Sequence, residues 1–346
     1  MTNYFYIMNS NNGASYIFNT SSWSAVKISV KFYRALTIKS KVQKYVLIIF
    51  LFLIGKFYRK ICKSKNEIQQ YLNTISKVNI DFNIDKESSV LVSPTRDKII
   101  VNHHNRYFHK IAFGESFKKV KNETYIYSLL KNLKSFNVSN FYDLKIEDKS
   151  NYCSFKLQNP ITVVVSKNEF KLTTILAEFF NKSGHNKTIN FNDYIKELLE
   201  NYKKLTTKKN NSIESYFGNK NLNSQVPLGL VHRDFKPWNT LSQEKLLIFD
   251  FEEAVFDGIP MEDLLNFYID PIIRYLPVIE VYSFMFSKEQ TSKYQNYLTN
   301  INCALDYELL IFSYLIERVF FWSKENDLDT ALAYEQLLNL SITNKK

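Results

Sequence analysis

One stretch of the chain holds residue types at a spacing that could do chemistry together. It is Leu230-Val-His-Arg-Asp-Phe-Lys-Pro-Trp-Asn-Thr-Leu241, followed shortly by Leu246-Leu-Ile-Phe-Asp250. A carboxylate, Asp234, precedes a carboxamide, Asn239, within one short loop, and a second carboxylate, Asp250, ends an apolar run. Phosphoryl transfer needs little covalent help from protein; it needs a carboxylate beside the attacking hydroxyl and cations that neutralise the phosphates. Asp234 suits the first task. Asn239 and Asp250 offer the oxygen ligands that Mg²⁺ takes, with water and substrate phosphates completing its shell. Lys236 lies beside the proposed carboxylate, where it either offsets charge on the transferred group or is a solvated loop lysine. His232 reads as a residue that orders the loop, Trp238 as packing, and Asp263 as a loop stabiliser or helix cap. His103, His104 and His109 alternate across a strand and a turn, which does not suit a metal site.

This stretch closely resembles the catalytic loop of the kinase superfamily, H-x-D-x-x-x-x-N followed by a metal-binding Asp. More narrowly it resembles the aminoglycoside phosphotransferase and choline kinase group, through Pro237-Trp238-Asn239, Asp250-Phe251-Glu252 and Gly258-x-Pro260-x-x-Asp263-Leu264. The resemblance is strong over residues 228–268, extends over 85–346, and does not include the N-terminal segment. It implies an α+β, bilobal protein-kinase-like fold with a small β-rich N-lobe and a larger helical C-lobe. It also implies an ATP- and Mg²⁺-dependent phosphotransferase that moves the γ-phosphate to a hydroxyl, with Asp234 catalytic and Asn239 and Asp250 on the metal; Lys236 is added as a catalytic candidate from its position beside Asp234.

The small lobe of such a fold supplies a lysine for the nucleotide phosphates and a glutamate that holds it. Lys110, within a strand, and Glu123, on the following helix, are in the order this fold requires. The competing interpretation is an ordinary surface ion pair, worth at most about 1 kcal/mol. In one respect the chain departs from the resemblance: no glycine occurs between Gly55 and Gly114, so there is no Gly-rich loop of the kind that lets backbone approach phosphate. The turn in its place is Ser93-Pro-Thr-Arg-Asp97, and Ser93 and Thr95, or the charge of Arg96, are the expected substitutes.

The elements that must position these residues follow from periodicity. Residues 89–93, 98–103 and 106–113 read as strands separated by short polar turns, 117–133 as a helix, and 142–146 and 152–157 as two more strands. Beyond residue 172 the pattern is mainly helical, at 172–181, 194–204, 307–323 and 330–339, with 210–225 read as a polar loop and short strands within 226–248. The expected division is a basic segment over 1–75, an N-lobe over 76–160 and a C-lobe over 161–346.

The net charge of +11 is concentrated at one end. Residues 1–66 contain no Asp or Glu and eleven of the 45 basic residues, leaving 34 basic against 34 acidic in the remainder. Within that segment Tyr45–Gly55 is an uncharged run of eleven residues between Lys44 and Lys56. It is shorter than the roughly 20 residues a bilayer span needs. The two expectations are a helix buried on the catalytic body, or a segment lying in an anionic membrane surface through residues 27–65. A nucleic-acid partner is not expected, since an aliphatic run has no use in a phosphate-tracking groove. Cys62, Cys153 and Cys303 have neither zinc-ligand spacing nor an even count, which suits a reducing compartment.

A protein Ser/Thr kinase is the nearest enzymatic rival, but Asp250 is followed by Phe-Glu and not Phe-Gly, and only 96 residues follow it. A small molecule or sugar, such as a lipid-linked or cell-envelope glycan of lipopolysaccharide-core type, is the expected acceptor, by analogy. A membrane-docked pseudokinase scaffold is the non-enzyme alternative. The expected location is cytoplasmic, peripheral on the inner face of the membrane.

Overall fold

The computed structural model describes residues 4–11, 13–30, 38–77, 79–85, 88–104, 106–131, 136–158, 172–183, 187–205, 211–218, 220–242 and 245–344. The chain forms two compact units, Met1–Lys131 with Val138–Val163, and Asn132–Asn137 with Val164–Lys346. The first is β-rich and the second mainly helical, an α+β, two-lobed organisation.

The first unit is built on eight antiparallel strands in the order β3-β1-β2-β4-β5-β6-β9-β8. They are β1 (Tyr4–Asn9), β2 (Ser15–Asn19), β3 (Lys63–Ser64), β4 (Ser88–Val92), β5 (Lys98–His103), β6 (Tyr107–Phe113), β8 (Phe141–Glu147) and β9 (Tyr152–Gln158). β7 (Phe136–Val138), whose first two residues fall in the second unit, is an edge strand of a three-stranded sheet there. Alternation along the strands separates two faces. Ile17, Val90, Val101 and Ile111 bury one face under Ile68 and Leu72 of α3 (Lys65–Ser76). The other carries a ladder in register across the sheet: Tyr16 opposite Leu91, Leu91 opposite Ile100, Ile100 opposite Lys110, and Lys110 opposite Phe155. Tyr127 of α4 (Ser116–Leu130) meets Phe155 on that face at 6.2 Å between ring centroids.

The N-terminal segment is not separate from this sheet, as the expected division at residue 75 would have it. Its strands β1 and β2 extend the sheet beyond β4, and α1 (Trp23–Ser29) and α2 (Ile38–Phe57) pack on it through Phe18, Val26, Val30, Ile48 and Leu51. Gly55 shows how closely α2 is seated: a Cβ there would fall 2.1 Å from the Thr20 carbonyl oxygen. One side of α2 is therefore buried, at Ile48, Leu51, Ile54 and Gly55. Among the described residues no helix is long and apolar enough to cross a membrane.

The second unit contains α5 (Leu172–Phe180), α6 (Phe191–Leu205), α7 (Asn211–Gly218), α8 (Glu262–Tyr268), α9 (Asp270–Ile273), α10 (Val278–Met285), α11 (Lys288–Asn300), α12 (Tyr307–Lys324) and α13 (Leu328–Thr343). Short sheets are interleaved: β10 (Thr188–Asn190) with β11 (Gln225–Pro227), β12 (Gly229–Val231) with β15 (Val255–Gly258), and β13 (Thr240–Ser242) with β14 (Leu246–Ile248). Residues 211–218, expected within a loop, are helical because Ile213 and Phe217, one turn apart, are both buried. At Gly258 a Cβ would collide with Val231 at 1.4 Å, so the β12–β15 pairing that introduces the catalytic-type loop requires glycine.

Candidate active site

β12 delivers His232–Lys236, a single 3-10 turn follows over Pro237–Asn239, and the β13–β14 hairpin returns the chain to Asp250. In that hairpin Thr240 pairs with Ile248, and the Phe249 N–H donates to the Asn239 carbonyl at 3.3 Å. Asn239 and Asp250 thus leave neighbouring ends of one hairpin. The Asn239 Nδ2 donates to the Asp234 backbone carbonyl and to Asp234 Oδ2, each at 2.8 Å. The amide's donor end is committed to Asp234, which leaves its carbonyl Oδ1 as the atom to offer a cation. Asp250 has φ +71, a left-handed conformation for a residue with a side chain. Such conformations cost about 1–3 kcal/mol and persist where the surroundings hold them.

Asp234 keeps about a third of its side chain exposed. Its Oδ1 lies 2.7 Å from Lys236 Nζ, so the carboxylate is fixed from both sides, by an ammonium and an amide. Lys236 also reaches Asp270, at 3.2 Å, a buried carboxylate that accepts the Tyr334 hydroxyl proton. The rings of Trp238 and Trp322 lie 5.6 and 5.7 Å from the same ammonium, and Arg274, paired with Asp327 at 2.8 Å, stacks on Trp322. Asp270, Tyr334 and Trp322 were not legible in the sequence. Asp270 precedes Pro271 at the start of α9, and nothing in that pair of residues connects it to Lys236.

A second buried group holds the loop's backbone. Asp263 accepts the N–H groups of His232 at 2.7 Å and Arg233 at 2.9 Å, while Asn266 Nδ2 donates to the Arg233 carbonyl at 2.9 Å. Both backbone polar groups of Arg233 are thereby occupied, which holds it at φ +64. Burial pushes the Asp263 carboxyl up to about 8, against the pull of its two backbone donors. His232 is fully enclosed and bonds through Nε2 to the Phe249 carbonyl at 3.0 Å. Burial lowers its pKa, so the neutral ring ties the loop to the strand that carries Asp250. Arg318, stacked on Tyr314 and Phe321, pairs with the buried Glu262 at 3.0 Å.

In the β-rich unit Lys110 Nζ donates to Glu123 Oε2 at 2.7 Å, and both side chains are 5% exposed or less. This is a buried pair and not the surface pair of the competing interpretation. A buried pair contributes little net stability, because desolvation offsets the attraction, but losing one member is costly. The turn over 93–97 closes on Asp97. Ser93 Oγ donates to it at 3.1 Å, Thr95 Oγ1 donates to it, and the Ser116 N–H donates at 3.0 Å. Burial opposes but these bonds outweigh it, holding the Asp97 carboxyl below the usual range. The hydroxyl protons of Ser93 and Thr95 are thus turned onto Asp97, and Arg96 in the turn has φ +59.

No protein-family model matches the chain, and no curated protein matches it. Solved structures similar to it include APH(2")-IIia in complex with GDP and kanamycin, at 12% identity, covering 72% of this chain and 91% of that one, with a TM-score of 0.48. Another is wild-type aminoglycoside 2'-phosphotransferase-IIIa in complex with GDP, at 14% identity, 72% and 89% coverage and a TM-score of 0.47. A third is a thermostable mutant of aminoglycoside phosphotransferase APH(4)-Ia in a ternary complex with AMP-PNP and hygromycin B, at 11% identity, 80% and 98% coverage and a TM-score of 0.47.

Proposed function

We propose that the chain is an ATP- and Mg²⁺-dependent, kinase-like phosphotransferase acting on a hydroxyl of a small molecule or sugar. The observation that carries this reading is the Asp234 carboxylate, fixed between Lys236 at 2.7 Å and Asn239 at 2.8 Å, with Asp250 at the end of the same hairpin. Asp234 orients the acceptor hydroxyl and takes its proton as the oxygen attacks. Lys236, held beside it, offsets negative charge on the transferred group. Asn239, through Oδ1, and Asp250 are the residues that would hold Mg²⁺, whose charge neutralises the phosphate oxygens when it is bound. In the β-rich unit, Glu123 holds Lys110 for the nucleotide phosphates. Ser93 and Thr95 serve the nucleotide by shaping their turn, since their hydroxyl protons go to Asp97.

The acceptor is a sugar or lipid-linked hydroxyl of cell-envelope type, met at the cytoplasmic side of an anionic membrane through residues 27–65. The concentration of basic residues there, without a single acid before Glu67, supports the membrane part. The test is incubation of the purified protein with radiolabelled ATP, Mg²⁺ and fractionated envelope and metabolite extracts. The expected result is a labelled, alkaline-stable phosphate ester formed by the wild-type protein and not by Asp234→Asn. Nucleotide binding without any transfer or hydrolysis would instead identify a scaffold.

A further inference from the structure

α2 is apolar on both of its sides, and among the described residues the fold covers only one. Ile48, Leu51 and Ile54 are buried toward the sheet, and Gly55 closes on Thr20. On the opposite side Val42, Tyr45, Val46, Ile49, Leu53 and Phe57 follow one another at helical spacing, each at least 43% exposed. A helix that is apolar all round is normally covered all round. Single exposed apolar residues need no explanation, but a continuous stripe does.

We propose that this outward face is a membrane-docking surface, and that α2 lies in the plane of an anionic bilayer with the stripe in the headgroup–acyl boundary. The proposal deepens the membrane part of the reading above and rests on that part alone, not on the phosphotransfer chemistry. Charge selects the occupant. Exposed Lys41 stands at one end of the stripe, and exposed Lys56, Arg59 and Lys60 at the other, in a segment with no acidic residue before Glu67. A second copy of this chain would bring the same cations against one another. Anionic headgroups complement them, each lysine or arginine near such a surface adding to binding, while the stripe enters about 5–10 Å. A helix of 20 residues is about 30 Å long, and its buried side leaves it no freedom to stand upright across the membrane. Tyr45 and the exposed Tyr58 place amphipathic rings at the depth that tyrosine favours.

The experiment sediments full-length protein with vesicles of phosphatidylcholine alone, or of phosphatidylcholine with phosphatidylglycerol. Two variants are compared, Ile49→Asp with Leu53→Asp on the outward face, and Lys41→Glu with Lys56→Glu and Lys60→Glu. Thermal unfolding, light scattering and nucleotide binding are followed in parallel. The expected result is binding to the anionic vesicles at least tenfold tighter than to neutral ones. Each variant should lose roughly a hundredfold or more while unfolding at the wild-type temperature. Wild-type-like vesicle binding by the face variant overturns the proposal. So does a wild-type dimer that the face variant converts to monomer, because a second copy would then cover the stripe. If vesicle binding follows the stripe while no form of the protein turns over nucleotide, docking stands and only the phosphotransfer reading falls.

Discussion

Lys236 sits between two carboxylates of opposite situation, the partly exposed Asp234 at 2.7 Å and the buried Asp270 at 3.2 Å. Asp270 is itself held by the Tyr334 hydroxyl, so the ammonium is anchored from below and presented to Asp234 from above. Asp270 touches none of the reacting atoms in the proposed chemistry; it acts through Lys236.

Asp270→Asn should therefore lower kcat by about tenfold to a hundredfold, the scale for losing part of one electrostatic contact, with the KM for nucleotide little changed. The discriminating measurement is the double variant with Lys236→Met. If Asp270 works through Lys236, the double variant should be no slower than Lys236→Met alone, because residues that act as a unit are not additive. Additive losses would give Asp270 a separate role.

Asp234→Asn should abolish transfer while leaving nucleotide affinity and thermal stability near wild type, since the new side-chain oxygen and the retained backbone carbonyl can still accept from Asn239 Nδ2. Asp250→Asn should behave differently, raising the Mg²⁺ concentration needed for nucleotide binding as well as slowing turnover. An unchanged Mg²⁺ titration in Asp250→Asn would remove that residue from the metal site.

The buried Lys110–Glu123 pair makes stability and nucleotide binding separable. Lys110→Ala should cost about 3–5 kcal/mol, because it takes the ammonium away from a carboxylate buried in the interior. Replacing both with apolar residues of similar size, Lys110→Met with Glu123→Leu, should restore most of that stability and none of the nucleotide binding. Denaturant unfolding and nucleotide titration read the two quantities. If the double variant binds nucleotide normally, the pair is structural only.

Asp263 should make stability fall as pH rises. Its folded carboxyl is pushed up to about 8 by burial, against about 3.9 for an unfolded aspartate. Between those values the folded chain keeps a proton that the unfolded chain has released. The contribution is therefore fully present below about pH 4 and is lost as pH rises toward 8, at up to about 1.4 kcal/mol per pH unit. Stability profiles over that range should slope downward more steeply for the wild type than for Asp263→Asn. Parallel profiles would show that the two backbone N–H groups of His232 and Arg233 keep Asp263 ionised throughout.

What the sequence determined by itself is local. Asp234 and Asn239 are five residues apart in one loop, and Asp250 ends a short apolar strand, so chain geometry alone keeps these three near each other. Strand then helix likewise put Lys110 and Glu123 in reach, because β6 leads into α4 through one tight turn at Gly114. Tertiary structure decided whatever depends on distant partners. The buried Asp270 and Tyr334 and the half-buried Trp322 come from three different helices, and no spacing rule connects them to Lys236. Strands β1 and β2 join the sheet only because β4, some 70 residues later, supplies the neighbour for β2. The eight residues of α7 are polar enough to read as loop until the burial of Ile213 and Phe217 fixes a helix. For α2 the limit is sharper: an all-round apolar helix gives the same hydropathy whichever side is covered. Only the packing of Ile48, Leu51 and Ile54 on the core decides that Ile49 and Leu53 face outward.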